Sequence, residues 1–511
     1  MIYTFKKQLF QFFFLNISLI FSLANAQEQP NVVVILADDI GVGDISHYRK
    51  INSDKIIVET PTIDKLSESG MIFTNAHSPA ALCAPSRYAI MTGNHCYRSD
   101  FPWGVWGAYQ ESPIKPNQLT LGKLMKNAGY QTAFFGKWHL GGNYFRKGDT
   151  TQIYRGLRNK PETEVDIRKI VSGGPQSNGF DYSVTLAAGI QASPYAVYEN
   201  GNMMPLQNDS RIDYISQKDM DKIGVKLDKL EGLGDSNWDP HLIGGVLANK
   251  AISYIEKREE KKPFFMYYST QAVHLPHTPS KELNGKKVAG TTPSNHLDLV
   301  KELDIQIEML VQSLKKKKLY DNTLIIITSD NGGLHTPNTL KANHNSSSIY
   351  RGHKNLCYEG GHRVPFIASW PNKIKPNSKS DVPIIGLDVM ATLAEITNQE
   401  LDSENALDSS SLLPIFLGES NLRPHPFLML QSGTAQEGII IDGDFKLIIT
   451  IDKKDKTYTT RKPYALFNLK KDPTEKEKNN LINNPNYKKT VNLLFKKYNT
   501  TRDSKIITGI R

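Results

Sequence analysis

Cys83-Ala84-Pro85-Ser86-Arg87 sets a thiol at the threshold of a helical segment, with a proline in its first turn and an arginine four residues on. Proline suits that turn because the N–H it lacks would have no helical partner there. A side chain at such a helix start has backbone N–H groups aimed at any anion beside it. Taken alone, the pattern also fits an inert cysteine buried before a helix. Two further pairs, Asp38-Asp39 and Asp330-Asn331, supply hard oxygen ligands without thiolate or imidazole. Such a set suits Ca²⁺ or Mg²⁺ better than Zn²⁺. One acidic pair after a strand is more often a turn or a helix cap. Two such pairs at equivalent strand ends, together with the cysteine motif, favour a metal site. Lys137, His139, His274 and Lys354 add candidate cations and proton carriers.

The elements that must position these residues are short apolar strands ending in polar residues. Asn31–Ala37 runs into Asp38-Asp39, and Gln131–Phe135 into Gly136-Lys137-Trp138-His139. Pro263–Tyr268 precedes His274, and Thr323–Thr328 precedes Asp330-Asn331. Continuous β-branched and aromatic runs of this length read as strands buried on both faces. Between them, Pro61–Ser69, Leu119–Asn127, His241–Arg258 and Leu297–Lys317 carry apolar residues at helical spacing. The alternation predicts an α/β fold: a large mixed, mostly parallel sheet sandwiched by helices. Ligands bind such sheets beyond the carboxyl ends of the strands, the edge on which Asp38-Asp39, Lys137, His139, His274 and Asp330-Asn331 would fall. Segment 143–240 reads as a long irregular insertion, and Asn343–Ser348 as a polar loop. After about residue 425 the pattern changes. Gly438–Ile441, the Asp442-Gly443-Asp444 turn and Phe445–Ile449 predict a hairpin in a small C-terminal antiparallel sheet domain. The expected division is a catalytic α/β domain over 27–425 and a small α+β subdomain over 426–511.

The cysteine motif resembles the signature Cys-x-Pro-Ser-Arg of the formylglycine-dependent (type I) sulfatases, in which the cysteine is oxidised to formylglycine (3-oxoalanine). Leu36–Gly41 looks like that family's first metal motif and Thr328–Gly332 like its second. Lys137–Gly141 and Lys354–Pro365 resemble its lysine motifs, and Ala465–Pro473 its C-terminal stretch. The resemblance spans nearly all of the chain after residue 26. It implies an alkaline-phosphatase-like fold, bound calcium (magnesium as the alternative) and a formylglycine derived from Cys83. Asp38, Asp39, Asp330 and Asn331, with the converted Cys83, would surround the ion. One hydroxyl of the aldehyde hydrate would attack sulfur, and the other would lose its proton and expel sulfate. In that scheme Arg87 steadies the hydrate, Lys137 and Lys354 grip sulfate oxygens, and His139 takes the hydrate proton. His274 protonates the leaving alkoxide. His277 is its rival for that role and otherwise a candidate for the sugar subsite. Three departures stand out: Thr92-Gly93-Asn94 replaces the usual Thr-Gly-Arg, Cys357 lies inside a lysine motif, and two histidines compete at 274 and 277.

The chain opens with Lys6 and Lys7, an apolar run over Leu9–Leu23 and Ala24-Asn25-Ala26. That order is a secretory signal peptide over residues 1–26, too short for a membrane span. A periplasmic or secreted bacterial enzyme is expected, with the secretion machinery and a formylglycine-generating or sulfatase-maturating enzyme as partners. Removing the leader takes the net charge from +10 to +8, a bias toward anionic partners. A sulfated glycan fits an exported enzyme, and no nucleic-acid partner is expected. Only Cys83, Cys96 and Cys357 occur, so at least one is free or modified. Cys96 and Cys357 either pair or are simply buried. Specificity is expected in Trp103–Tyr109, in 143–240 and around His335–Tyr350, with the aromatic run Phe101–Tyr109 a candidate for the pocket mouth. Aryl-sulfate or phosphate and phosphonate ester hydrolysis remains the alternative activity, and a non-catalytic glycan-binding homologue a remote one.

Overall fold

The four apolar runs become neighbours in a ten-stranded sheet. Its strands in chain order are β1 (Asn31–Ala37), β2 (Met71–Phe73), β3 (Gln131–Lys137), β4 (Tyr182–Leu186), β5 (Val197–Glu199), β6 (Asn202–Met204), β7 (Phe264–Ser269), β8 (Thr323–Ser329), β9 (Phe366–Ser369) and β10 (Ser378–Ser380). Across the sheet they lie in the order β6-β5-β4-β3-β7-β1-β8-β9-β2-β10. The central five, β4 to β8 in that order, are all parallel. The computed structural model describes residues 29–509 except 157–160, 420–421, 434–435 and 505. The expected leader, 1–26, lies outside the described residues. No described helix is long and apolar enough to cross a membrane.

The strand period divides the apolar residues between two cores. Val33 and Ile35 face one side with Phe135, Met266, Tyr268 and Ile325, covered by helices α1 (Pro61–Glu68), α4 (Ile243–Lys257) and α5 (Asn295–Lys316). Val32 and Val34 face the other with Phe134, Tyr267 and Ile326, covered by α2 (Cys83–Thr92) and α3 (Leu121–Asn127). The register aligns Ala37 with Ser329 and Leu36 with Ser269, so three site-bearing strands end level. At that edge β3 pairs with β7 through Gly136 and Ser269. Gly136 sits at φ 105°, and a Cβ there would lie 1.8 Å from the carbonyl oxygen of Ser269. Only glycine serves at such a position.

Segment 143–240 departs from its expected irregularity. It supplies β4, β5 and β6 at one edge of the main sheet, a three-stranded sheet from Tyr144–Arg146, Asp149–Tyr154 and Val165–Asp166, and a pair from Ile212–Ile215 and Gly232–Asp235. Most of these strands are two to four residues long, too short for a periodic signal to rise above the intervening Gly, Asn and Asp. Asn343–Ser348 is a loop, but His344 and Ser346–Ser348 within it are buried. The Ser346 carbonyl accepts from Gly43 N at 2.8 Å, and His344 Nε2 meets Asp44 Oδ1 at 2.8 Å. These bonds satisfy its polar groups away from water.

Near the C-terminus, β11 (Leu428–Gln431), β12 (Glu437–Asp442), β13 (Phe445–Ile451) and β14 (Arg461–Asn468) form an antiparallel sheet in sequential order. Asp442 pairs with Phe445, leaving Gly443-Asp444 as the two-residue turn. One face carries α6 (Lys488–Asp503) through Leu494 and Tyr498. The other packs with Ala89 of α2 and Leu387.

A buried ionic cluster ties this sheet to the lysine motif. Lys446 Nζ lies 3.0 Å from Glu359 Oε1, 2.9 Å from Glu475 Oε1 and 2.9 Å from His362 Nε2. Burial opposes its charge, and Glu359 and Glu475 outweigh that, raising its pKa. Burial holds His77 and His362 well below the usual histidine range, hence neutral. Removing the ammonium deprives buried Glu475 of its ion pair, while Glu359 keeps the Arg363 guanidinium at its other oxygen. Lys446→Met is therefore expected to cost about 3–5 kcal/mol, read as a lowered denaturant midpoint. A double variant, Lys446→Met with Glu475→Gln, should recover part of the loss.

Candidate active site

The level ends of the parallel strands gather the chemistry. Asp38 and Asp39 follow β1, Lys137 ends β3 with His139 two residues on, His274 follows β7, and Asp330-Asn331 follow β8. Cys83 is the first residue of α2, whose ten residues are all buried. Lys354 arrives from the loop before Glu359–His362. Asp39 and His139 are non-glycine residues in left-handed conformation, at φ 67° and 54°. Such strain tends to collect where side chains must be aimed rather than merely packed.

The carboxylates and cations interlock. Asp39 N donates to Asp330 Oδ1 at 3.2 Å, and Asn331 Nδ2 donates to Asp39 Oδ1 at 2.9 Å. Arg87 Nη2 donates to Asp330 Oδ2 at 2.6 Å, while its Nη1 donates to Ser269 Oγ at 2.5 Å. Lys137 Nζ donates to Asp38 Oδ2 and Lys354 Nζ to Asp39 Oδ2, each at 2.7 Å. Cys83 Sγ lies 3.5 Å from His139 Nδ1, and His274 Nε2 lies 3.8 Å from Asp39 Oδ2. The Leu275 carbonyl, 2.7 Å from His274 Nδ1, takes the proton on that nitrogen. Nε2 is then left facing the site.

Burial works against charge on Asp38, but Lys137 and Arg87 hold it well below the usual carboxylate range. Burial raises Asp330 to about 7 despite Arg87, and Asp38 and Asp39 push the same way. Burial also lowers His274 to about 4, with Lys137 and Lys354 adding to the effect. An anionic ester entering beside it opposes those cations and favours the protonated imidazole. The Cys83 thiol is raised by burial, with Lys137 and Lys354 opposing.

The residues fit a hard divalent ion. Asn331 Oδ1 is a buried oxygen without a hydrogen-bond partner, and Asp38 Oδ1 has no hydrogen bond beyond the Arg87 guanidinium ion-paired to it at 3.3 Å. Ligand atoms of Asp38, Asp39 and His274 lie within 4.8 Å of one another. His77, Glu359 and His362 form a second cluster of ligand type, but the Lys446 ammonium already supplies its cation.

A cavity of about 470 Å³ opens onto the site, lined by Cys83, His139, His274 and Lys354 at its floor. Its walls include Tyr109, Gln191, Ser193 and Asp228–Glu231, so the 143–240 segment supplies much of the rim. His277 is not among the lining. Its ring lies against His296 with centroids 5.2 Å apart, where burial lowers it to about 3. Within the aromatic run, Trp103, Trp106 and Tyr109 are buried while Phe101 is 61 % exposed. The cavity lining includes Leu334 but no residue of the His335–Tyr350 loop that follows it. All three cysteines are buried and free, so Cys96 and Cys357 do not pair.

A cysteine at a helix start, three buried cations and a cluster of buried carboxyl and amide oxygens at one sheet edge suit the hydrolysis of esters of tetrahedral oxyanions. The chain belongs to the sulfatase family. The Sulfatase family model matches residues 30–399, and the model for the N-sulphoglucosamine sulphohydrolase C-terminal region matches 351–504. It is 31% identical over 489 residues to an N-acetylgalactosamine-6-O-sulfatase of Bacteroides thetaiotaomicron, covering 88% of this chain and 89% of that protein. It is 28% identical over 436 residues to a human steryl-sulfatase, covering 79% and 72%. A solved sulfatase structure from Bacteroides thetaiotaomicron, described with the metabolism of multiple glycosaminoglycans, superposes with TM-score 0.78 and 27% identity. That match covers 94% of this chain and all of the other. The protein is thus a sulfuric ester hydrolase with the large mixed sheet expected of it.

Proposed function

We propose that this enzyme removes sulfate from a sulfated carbohydrate outside the cytoplasm, using formylglycine made from Cys83. The observation that carries the reading is Cys83 itself, buried at the start of α2 and 3.5 Å from His139. The thiol stands in for the hydrated aldehyde of the matured protein. One hydroxyl attacks sulfur as the sugar oxygen leaves with a proton from His274; His139 then takes the proton of the other as sulfate departs. Lys137 and Lys354 hold sulfate oxygens, and Arg87 keeps the nucleophile and Asp330 in register. Asp38, Asp39, Asp330 and Asn331 would hold Ca²⁺ or Mg²⁺. When bound, the ion neutralises sulfate oxygens and favours an ionised nucleophile. Maturation requires a formylglycine-generating or sulfatase-maturating enzyme, and the leader routes the product to the periplasm or medium.

A sugar substrate is supported by the relative named for N-acetylgalactosamine-6-O-sulfate and by the basic balance of the chain. The test is release of inorganic sulfate from 6-O-sulfated N-acetylgalactosamine, sulfated galactose and their oligosaccharides, beside a small aryl sulfate. At least one sulfated sugar should be turned over with higher kcat/KM than the aryl ester. Turnover of the aryl or a steroid sulfate alone would overturn the carbohydrate assignment.

A further inference from the structure

A second cavity of about 470 Å³ adjoins the catalytic one, and Val105, Gln110 and Gly156 line both. The two cavities therefore lie side by side, with these residues as their shared wall. The second is roofed by rings from two distant parts of the chain: Phe101 and Trp103 from the run after α2, and Tyr458 from the loop between β13 and β14. Trp103 and Tyr458 have ring centroids 6.3 Å apart at 58°, and the Arg502 guanidinium covers Trp103 at 5.1 Å. Trp103 is thus held from two sides, while Phe101 is left largely in water. An exposed phenylalanine beside a fixed aromatic wall gains by covering an apolar face. Polar groups stand among the rings, with Gln110, Glu111 and Arg155 on the same groove. Arg155 and Glu111 are both exposed.

Rings for C–H faces, interleaved with amide, carboxylate and guanidinium groups for hydroxyls, are what a pyranose offers partners for. The opposite charges of Arg155 and Glu111 make the groove nearly neutral, so it suits hydroxyls rather than a second sulfate. The shared Val105, Gln110 and Gly156 place the groove beside the catalytic cavity, from which the alcohol portion of a bound sulfate ester must emerge.

We propose that this groove binds the sugar residue attached to the sulfated one, so that the enzyme acts on oligosaccharides in preference to free sulfated monosaccharides. The proposal rests on the carbohydrate reading above. It also assigns the C-terminal sheet a part in substrate recognition, through Tyr458.

The experiment compares kcat/KM for matched pairs: 6-O-sulfated N-acetylgalactosamine and 6-O-sulfated galactose, each free and extended at C1 by a neutral hexose or a hexuronate. Wild type should favour the extended members by about 10-fold or more, as expected for one added ring contact of about 1.4 kcal/mol. Phe101→Ala and Tyr458→Ala should each cut that ratio severalfold, mainly by raising KM for the extended substrates. Both side chains are partly or largely exposed, and the ratio cancels any general loss of active enzyme. If wild type turns over the free and extended sugars equally, the groove assignment is overturned while the carbohydrate reading stands. A ratio that survives both substitutions overturns the groove assignment in the same way. If no sugar is turned over while an aryl sulfate is, the carbohydrate reading fails and the groove assignment fails with it. A preference for hexuronate that Arg155→Ala abolishes would overturn the neutral-hydroxyl part of the proposal.

Discussion

Cys83→Ala is expected to lose at least about 10⁴-fold in kcat while the protein unfolds at nearly the wild-type temperature. Alanine keeps the helix start, and deleting one buried sulfur costs stability on the order of 1 kcal/mol. What disappears, on the proposed mechanism, is the group that attacks sulfur from the start of α2. Cys83→Ser separates the two halves of the cycle. A serine oxygen can attack, but it has no second hydroxyl on the same carbon to expel sulfate. That variant should release at most one alcohol per active site and then stop. Stopped-flow or quench measurement of alcohol against sulfate distinguishes the two outcomes. Continued turnover by either variant at near wild-type rate would remove Cys83 from the mechanism.

Chelation should have the second largest effect. Three carboxylates crowd one buried spot, and burial already raises Asp330 to about 7. Losing a divalent ion there should slow the enzyme by about 10³-fold, the equivalent of several kcal/mol of charge stabilisation. Ca²⁺ or Mg²⁺ added back should restore activity, and Asp39→Ala should abolish that response. Asp39 meets Lys354, Asn331 and Asp330 together, so its loss also frees a buried ammonium. A thermal shift on adding the ion to wild type, absent in Asp39→Ala, gives a readout separate from rate. Activity indifferent to exhaustive chelation would contradict the ion site.

The central sheet was legible because its strands are long, β-branched and buried on both faces. Asn31–Ala37 is read from the sequence with the bounds the structure has. The convergence of Asp38, Lys137, His274 and Asp330 followed from parallel strands ending level. The 143–240 segment was opaque for the opposite reason, since strands of two to six residues leave no period to count. Lys446 was also invisible. It sits in a strand between Phe445 and Leu447 and reads as an outward polar residue. Its partners Glu359 and Glu475 are 87 residues before it and 29 after it in the sequence. Phe101–Tyr109 was singled out as aromatic, but which rings face solvent depends on Tyr458 and Arg502, far along the chain.

The most direct test is the mass of the peptide containing Cys83, from protein produced with a sulfatase-maturating enzyme and active on a sulfated substrate. The expected spectrum shows an aldehyde at residue 83, with sulfur lost and oxygen gained, in proportion to specific activity. An unmodified thiol at Cys83 in fully active enzyme would contradict the account.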